Sequence, residues 1–117
     1  MKFQILLYFL GKKIKSRIKS DPEFKKKCAE KNCTVQIKTA DNSRGRYYTF
    51  ANGDVTTEKG IAAKADVALV WKDAKIGFQA LKSGQTMQAL QSGDLKLDGD
   101  GATALWFADK AKQAAAK

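Results

Sequence analysis

The chain has no histidine. Its absence removes the usual general base near neutral pH and with it the Ser-His-Asp and Cys-His arrangements of nucleophilic catalysis. Cysteine is almost as scarce: Cys28 and Cys33 stand in a C-x4-C spacing with no imidazole to complete a zinc site, so no metal is expected. Without a convincing export signal, the pair reads as reduced, packed thiols in preference to a local disulfide. Acidic residues number 12 against 22 Lys/Arg, for a net charge of +10, and residues 1–31 hold 10 of those basic groups with only 3 acids. Such a charge favours an anionic partner and does not choose between a lipid surface, a nucleic acid and an acidic protein.

Long hydrophobic runs are missing too. The apolar run at residues 3–10 (FQILLYFL) is far short of the ~20 residues a membrane span needs. Lys12, Lys13, Lys15, Arg17 and Lys19 follow at once, with no small-x-small cleavage site. The closing Ala-Ala-Ala-Lys is not a Ser-Lys-Leu-type address. The expected location is therefore cytoplasmic, with peripheral membrane contact as the alternative. Asp98-Gly99-Asp100-Gly101 lacks the later acidic ligand of a calcium loop and the Gly-Lys-Ser/Thr ending of a phosphate loop. It reads as a turn that ends a strand and caps the last helix. No cofactor and no enzymatic activity are expected, because no titratable cluster is available for acid-base or nucleophilic work.

What is present fits one domain over residues 1–117, with 44% hydrophobic residues, an ordinary share for a globular chain. At 100° per residue, Phe3, Leu7, Leu10, Ile14 and Ile18 form one stripe of an N-terminal helix, and Lys12, Lys15, Ser16 and Lys19 sit broadly opposite. Ile5, Tyr8 and Phe9 fall off that stripe, which leaves the first turns apolar on more than one side. Three readings compete for this helix: a core-packing helix with a solvated face, a membrane-surface helix, or a surface for self-association or another protein. Ser20-Asp-Pro-Glu23 restarts a second helix through Phe24 and Cys28, ending near Asn32. The basic amphipathic N-terminal segment thus covers about residues 1–31.

Residues 34–39 alternate as a half-buried strand, residues 46–51 (RYYTFA) form the next, and Asn52-Gly53 signals a hairpin into a polar edge strand at 54–59. Antiparallel pairing follows from the short connections. The organising stretch is residues 64–112. Residues 65–72 (ADVALVWK) read as a central strand, apolar on both faces. A helix runs from the Asp73 cap to Ser83-Gly84, and a short one from Gln85 to Ser92 stops at Gly93. Leu95 opens a brief strand, and a final helix starts near Ala102. On that helix Ala104, Phe107, Ala108, Ala111 and Ala115 share an inward arc with Leu105 at its edge, while Trp106 falls with Asp109, Lys110 and Gln113 on the polar side.

The order of words Ala65-Asp66-Val67-Ala68-Leu69, Gly84, Met87 to Gly93, and Gly93-Asp94-Leu95-Lys96-Leu97-Asp98-Gly99-Asp100 resembles the sterol-carrier-protein-2-like lipid-binding domain. The resemblance covers roughly residues 13–112. It implies an α+β fold: a five-stranded, mostly antiparallel sheet with helices packed over one side, enclosing an apolar tunnel for a fatty acyl, sterol-like or isoprenoid chain. The implied function is a non-catalytic lipid carrier. The alternative is an accessory or scaffold protein tethered by its basic helix to a membrane or an enzyme complex.

For the tunnel wall the chain offers Val35, Ile37, Tyr48, Phe50, Leu69, Trp71, Ile76, Leu81, Met87, Leu90, Leu105 and Trp106, the alternative being that they are ordinary core. For contact with an anionic membrane it offers Phe3, Leu6, Phe9, Lys12, Lys13, Lys15, Arg17 and Lys19, with residues 1–11 expected to be dispensable for folding. The expected partner is a long-chain lipid or sterol-like ligand, and the expected state is a monomer or weak dimer. Nucleic-acid binding is the weaker reading: Tyr47, Tyr48 and Phe50 share a strand but lack the basic-aromatic signature of an RNA-binding sheet.

Overall fold

A computed structural model describes residues 2–115. The elements are α1 (Lys2–Ser20), α2 (Pro22–Cys28), β1 (Cys33–Thr39), β2 (Gly45–Ala51), β3 (Asp54–Lys59), β4 (Val67–Trp71), α3 (Ala74–Ser83), α4 (Thr86–Ser92), β5 (Leu95–Gly99) and α5 (Gly101–Ala115). The architecture is α+β, with one five-stranded sheet in the order β3-β2-β1-β4-β5.

Local chemistry sets the boundaries. Asp21 caps α2, accepting from the Glu23 and Phe24 amides, with Pro22 in the first turn. The helix stops at Cys28, short of Asn32. Asp73 accepts from the Ile76 amide to start α3, and Gly84 and Gly93 end α3 and α4 in the left-handed region. Asn52 and Gly53, with φ of 55° and 82°, make the β2–β3 turn as the dipeptide predicts.

β1, β2 and β3 pair antiparallel, as do β4 and β5, whereas β4 lies parallel to β1. The strand read as central, β4, is therefore interior but second from the edge, and β1 holds the centre. A parallel neighbour needs a crossover. Here it is supplied by the β2–β3 hairpin and residues 60–66, which return across the outer sheet face. Gln36, expected to be solvated, is buried under this return: its Nε2 donates to the Gly60 carbonyl at 3.0 Å and its Oε1 accepts from the Ala62 amide at 2.6 Å. Period-2 alternation placed Gln36 on the polar face correctly and had no way to show that a loop would cover it.

The two sequence words that flank β4 and end β5 hold three strands together. The Asp66 carboxylate accepts from the Thr34 amide at 2.7 Å, and the Asp100 amide donates to the Asp66 carbonyl at 2.9 Å. Gly99 has φ +116°, and a Cβ there would stand 2.5 Å from the Asp66 carbonyl oxygen, so only glycine fits. Asp100 then begins α5, accepting from the Ala102 amide and the Thr103 hydroxyl.

Candidate functional site

One face of the sheet is largely apolar across β2, β1 and β4. Cys33, Val35 and Ile37 of β1 register with Phe50, Tyr48 and Arg46 of β2; Val35 and Ile37 also register with Val67 and Leu69 of β4. Trp71 lies opposite Leu95. α1 and α5 cover this face, contacting β2, β3, β1 and β4. Arg46 is polar, as are Thr39, Thr57 and Lys59 in register on the same face; it lies over the Tyr8 ring at 5.2 Å and donates to the Thr57 hydroxyl. Tyr48 donates to the Leu7 carbonyl at 2.6 Å, and burial pushes its phenol far above the ordinary value, with Arg46 pulling weakly the other way.

Of the twelve positions offered for a tunnel wall, Val35, Ile37, Tyr48, Phe50, Leu69 and Trp71 form this face and are buried in one cluster. Ile76, Leu81, Leu90 and Trp106 pack half-buried against it. Met87 and Leu105, expected inside, point outward at 60% and 52% exposure. α4 turns only Ala89 fully inward, so its longest side chain is left in solvent.

Leu105 is outward because α5 is rolled relative to the arc read from its sequence. Thr103, Ala104, Phe107, Lys110 and Ala114 are the buried positions, and Trp106 meets Phe50 edge-on at 5.0 Å. An alanine-rich arc gains little from burial. Bringing the indole onto an aromatic neighbour gains more, and the Lys110 stem follows it in. Lys110 is 5% exposed, with its ammonium 3.1 Å from Asp109 Oδ2 and 5.6 Å from the Trp106 ring centre. Among the described residues, the indole N–H groups of Trp71 and Trp106 are buried without an acceptor.

Cys28 and Cys33 are free and buried. Burial pushes the Cys33 thiol up to about 11, with Asp66 adding to the effect, and raises Cys28 as well. Among the described residues no group of three or more His, Cys, Asp or Glu is placed to hold a metal ion.

α1 presents two faces. Inward lie Phe3, Leu7, Gly11, Ile14 and Ile18, so the segment expected to be dispensable packs Phe3, Leu7 and Gly11 into the core. Phe3, grouped with the outward residues from sequence, is 1% exposed and packs on Gly77 of α3, where a Cβ would stand 2.6 Å from its ring. Leu6 and Arg17 are half-buried, and Arg17 pairs with Asp21 at 2.9 Å. Lys15 is half-buried, whereas Phe9, Lys12, Lys13 and Lys19 are exposed. The outward apolar set is therefore Ile5, Tyr8 and Phe9. Beside α1, a groove of about 510 Å³ runs against β3. Among the described residues no helix is long and apolar enough to cross a membrane.

The fold is shared with solved structures. The ubiquinone synthesis protein UbiJ-SCP2 matches with a TM-score of 0.64 at 18% identity, covering 89% of this chain and 89% of its own. Palmitated SCP2L2 from Aedes aegypti matches with a TM-score of 0.59 at 22% identity, covering 87% and 90%. The sec-alkylsulfatase Pisa1 from Pseudomonas sp. matches with a TM-score of 0.59 at 24% identity over 73% of this chain, which spans only 14% of the sulfatase's length. No curated protein matches by sequence. The profile of the SCP-2 sterol transfer family matches residues 12–112, and the chain belongs to that family.

Proposed function

We propose that this protein is a non-catalytic carrier that takes up one long acyl, sterol-like or isoprenoid chain between the apolar sheet face and the helices that cover it. The observation that carries the reading is that the buried indole N–H groups of Trp71 and Trp106 are left without acceptors against the largely apolar core. A buried donor without a partner costs about 1–3 kcal/mol. A ligand with one oxygen-bearing end would relieve that cost at one of the two, since Trp71 lies beside Thr39 and Trp106 packs on Phe50 beside Cys33, at opposite ends of β1, while its chain meets Leu69 and its neighbours. Each methylene removed from water contributes about 0.8 kcal/mol, so chain length dominates affinity and discrimination among long chains is weak. α3 and α4 are the covering elements easiest to displace, since they turn only Gly77, Ala80 and Ala89 fully inward. Opening them would expose Ile76, Leu81 and Leu90 to an incoming chain. The test is native mass spectrometry of the purified protein after exposure to long-chain fatty acids. Retention of one lipid per chain is expected; an unliganded mass throughout would remove the carrier reading.

A second reading, an accessory protein tethered to a membrane, is favoured by one feature. Ile5, Tyr8 and Phe9 stand exposed on a helix that carries six Lys/Arg and no acid. The two readings are compatible, because a carrier must meet the surface that supplies its lipid.

A further inference from the structure

Among the described residues β3 pairs with β2 alone and forms one edge of the sheet. Its register fixes which main-chain groups point outward. The Gly60 amide donates to the Gly45 carbonyl at 2.9 Å, and from that pair the antiparallel ladder alternates along the strand. Glu58, Thr56 and Asp54 therefore exchange hydrogen bonds with β2, while Lys59, Thr57 and Val55 direct their N–H and C=O groups away from it. Val55 bears this out: its amide donates to Asp54 Oδ1 at 2.8 Å, and its carbonyl accepts from Lys15 Nζ at 3.1 Å. That end of the edge is closed. The main-chain groups of Thr57 and Lys59 have no such partners among the described residues and stand open.

The groove beside α1 follows this edge. On the strand side it is lined by Val55, Thr56 and Thr57, consecutive residues whose side chains alternate between faces, so what they share is the edge of the backbone. α1 runs alongside in the opposite direction: Gly11 meets Thr57, and Lys15, one turn on, meets Val55. Four residues of helix rise about 6 Å and two of strand about 7 Å, so the two elements stay in step. The helix wall carries Lys12, Lys15 and Lys19. Lys15 meets Asp54 at 3.6 Å, whereas Lys12 and Lys19 have no ion pair among the described residues. α1 lies over the inner face of the sheet, so a strand laid against β3 would turn every second side chain toward these ammonium groups.

We propose that the open edge of β3 takes up an extended acidic segment of a partner protein as a further strand, with its carboxylates turned toward Lys12, Lys15 and Lys19. The main chain of Thr57 and Lys59 supplies the pairing, which is indifferent to sequence, and the lysines supply the selection. Lys15 exchanges the Val55 carbonyl for a carboxylate of the incoming strand. A helical partner would leave the open edge groups unmet. A second copy of this chain, at a net charge of +10, would set lysines against lysines.

The test is an NMR titration of the full chain at low salt with a short synthetic peptide that alternates Thr and Glu. Saturable binding is expected, with the Thr57 and Lys59 amide resonances shifting and their hydrogen exchange slowing. The same peptide with Gln in place of Glu should bind at least about tenfold more weakly. Lys59→Pro removes one outward N–H and leaves the β2–β3 ladder intact, because an edge tolerates proline where the amide faces away. It should weaken binding about tenfold relative to Lys59→Gln, which loses the same charge and keeps the amide. K12Q/K15Q/K19Q should also weaken binding about tenfold, and K72Q/K75Q/K82Q, the same charge change at exposed sites around α3, less than about threefold. If Lys59→Pro loses its circular dichroism, the exchange rates of the wild-type Thr57 and Lys59 amides carry the test. No binding of the acidic peptide, equal binding by Lys59→Pro and Lys59→Gln, or equal losses from the two triple variants would overturn the proposal. Shifts of the same amides with protein concentration alone would give the edge to a second copy of the chain and overturn the acidic partner.

Discussion

α1 and the α3–α4 pair lie against the same interior and are held there in opposite ways. α1 sinks Phe3, Leu7, Ile14 and Ile18 fully into the core, and its Leu7 carbonyl accepts from the buried Tyr48 hydroxyl. α3 and α4 turn only Gly77, Ala80 and Ala89 fully inward and keep Ile76, Phe78, Leu81 and Leu90 half-buried. Large buried side chains fix an element, because each is surrounded on all sides and leaves a cavity when withdrawn. Small ones let an element sit close without anchoring it, and the regions with least buried apolar surface open first. The helix whose first eleven residues were expected to be dispensable is thus structural on one face, and the pair expected to line the interior is the less anchored cover.

This contrast can be broken most forcefully in α1. Leu7→Ala should destabilise the fold by about 2–5 kcal/mol in denaturant unfolding, and Ile14→Ala by a similar amount. Truncation of residues 1–11 should unfold the domain. On the α3 side, Gly77→Val should cost about 1–3 kcal/mol by driving a side chain into Phe3 and Trp71. It should also slow lipid uptake by shifting the cover, read as the rate of acyl-chain binding. Met87→Ser, at an exposed site, should leave the melting temperature nearly unchanged. An equal destabilisation by Leu7→Ala and Met87→Ser would erase the distinction.

Most of the fold was legible because local chemistry decides it. Caps at Asp21 and Asp73, stops at Gly84 and Gly93, and the Asn52-Gly53 turn all act over a few residues. Alternation in residues 34–39 placed Val35 and Ile37 on one face, and Tyr48 and Phe50 of the next strand join them there. What was not legible depends on contacts distant in sequence. The roll of α5 is set by Phe50, 56 positions before Trp106, and nothing within the helix reports it. Gln36 is covered by residues 60–62, and Phe3 is claimed by Gly77. The α1–β3 groove was invisible for the same reason: the lysines were readable as a face and residues 54–59 as a polar edge strand, but not that the two lie side by side.

The smallest expected effect concerns the β1–β2 turn, remote from both helices. The Ser43 amide and hydroxyl and the Thr39 hydroxyl hold the Asp41 carboxyl down to about 2 from its ordinary value near 3.8. A depressed carboxylate stabilises the fold above its unfolded value, and that contribution is lost as pH falls through about 2. Asp41→Asn should therefore flatten the acid limb of stability between about pH 4 and pH 2 in urea titrations, with little effect on either helix.

The central claim is that a lipid chain enters against the sheet face, where the chain's two tryptophans, Trp71 and Trp106, both lie. Titration with a long-chain fatty acid at micromolar concentration, followed by tryptophan fluorescence, tests it directly. Saturable change in the emission with a matching rise in melting temperature is the predicted result. Emission and melting temperature that both stay constant across the titration would contradict the account.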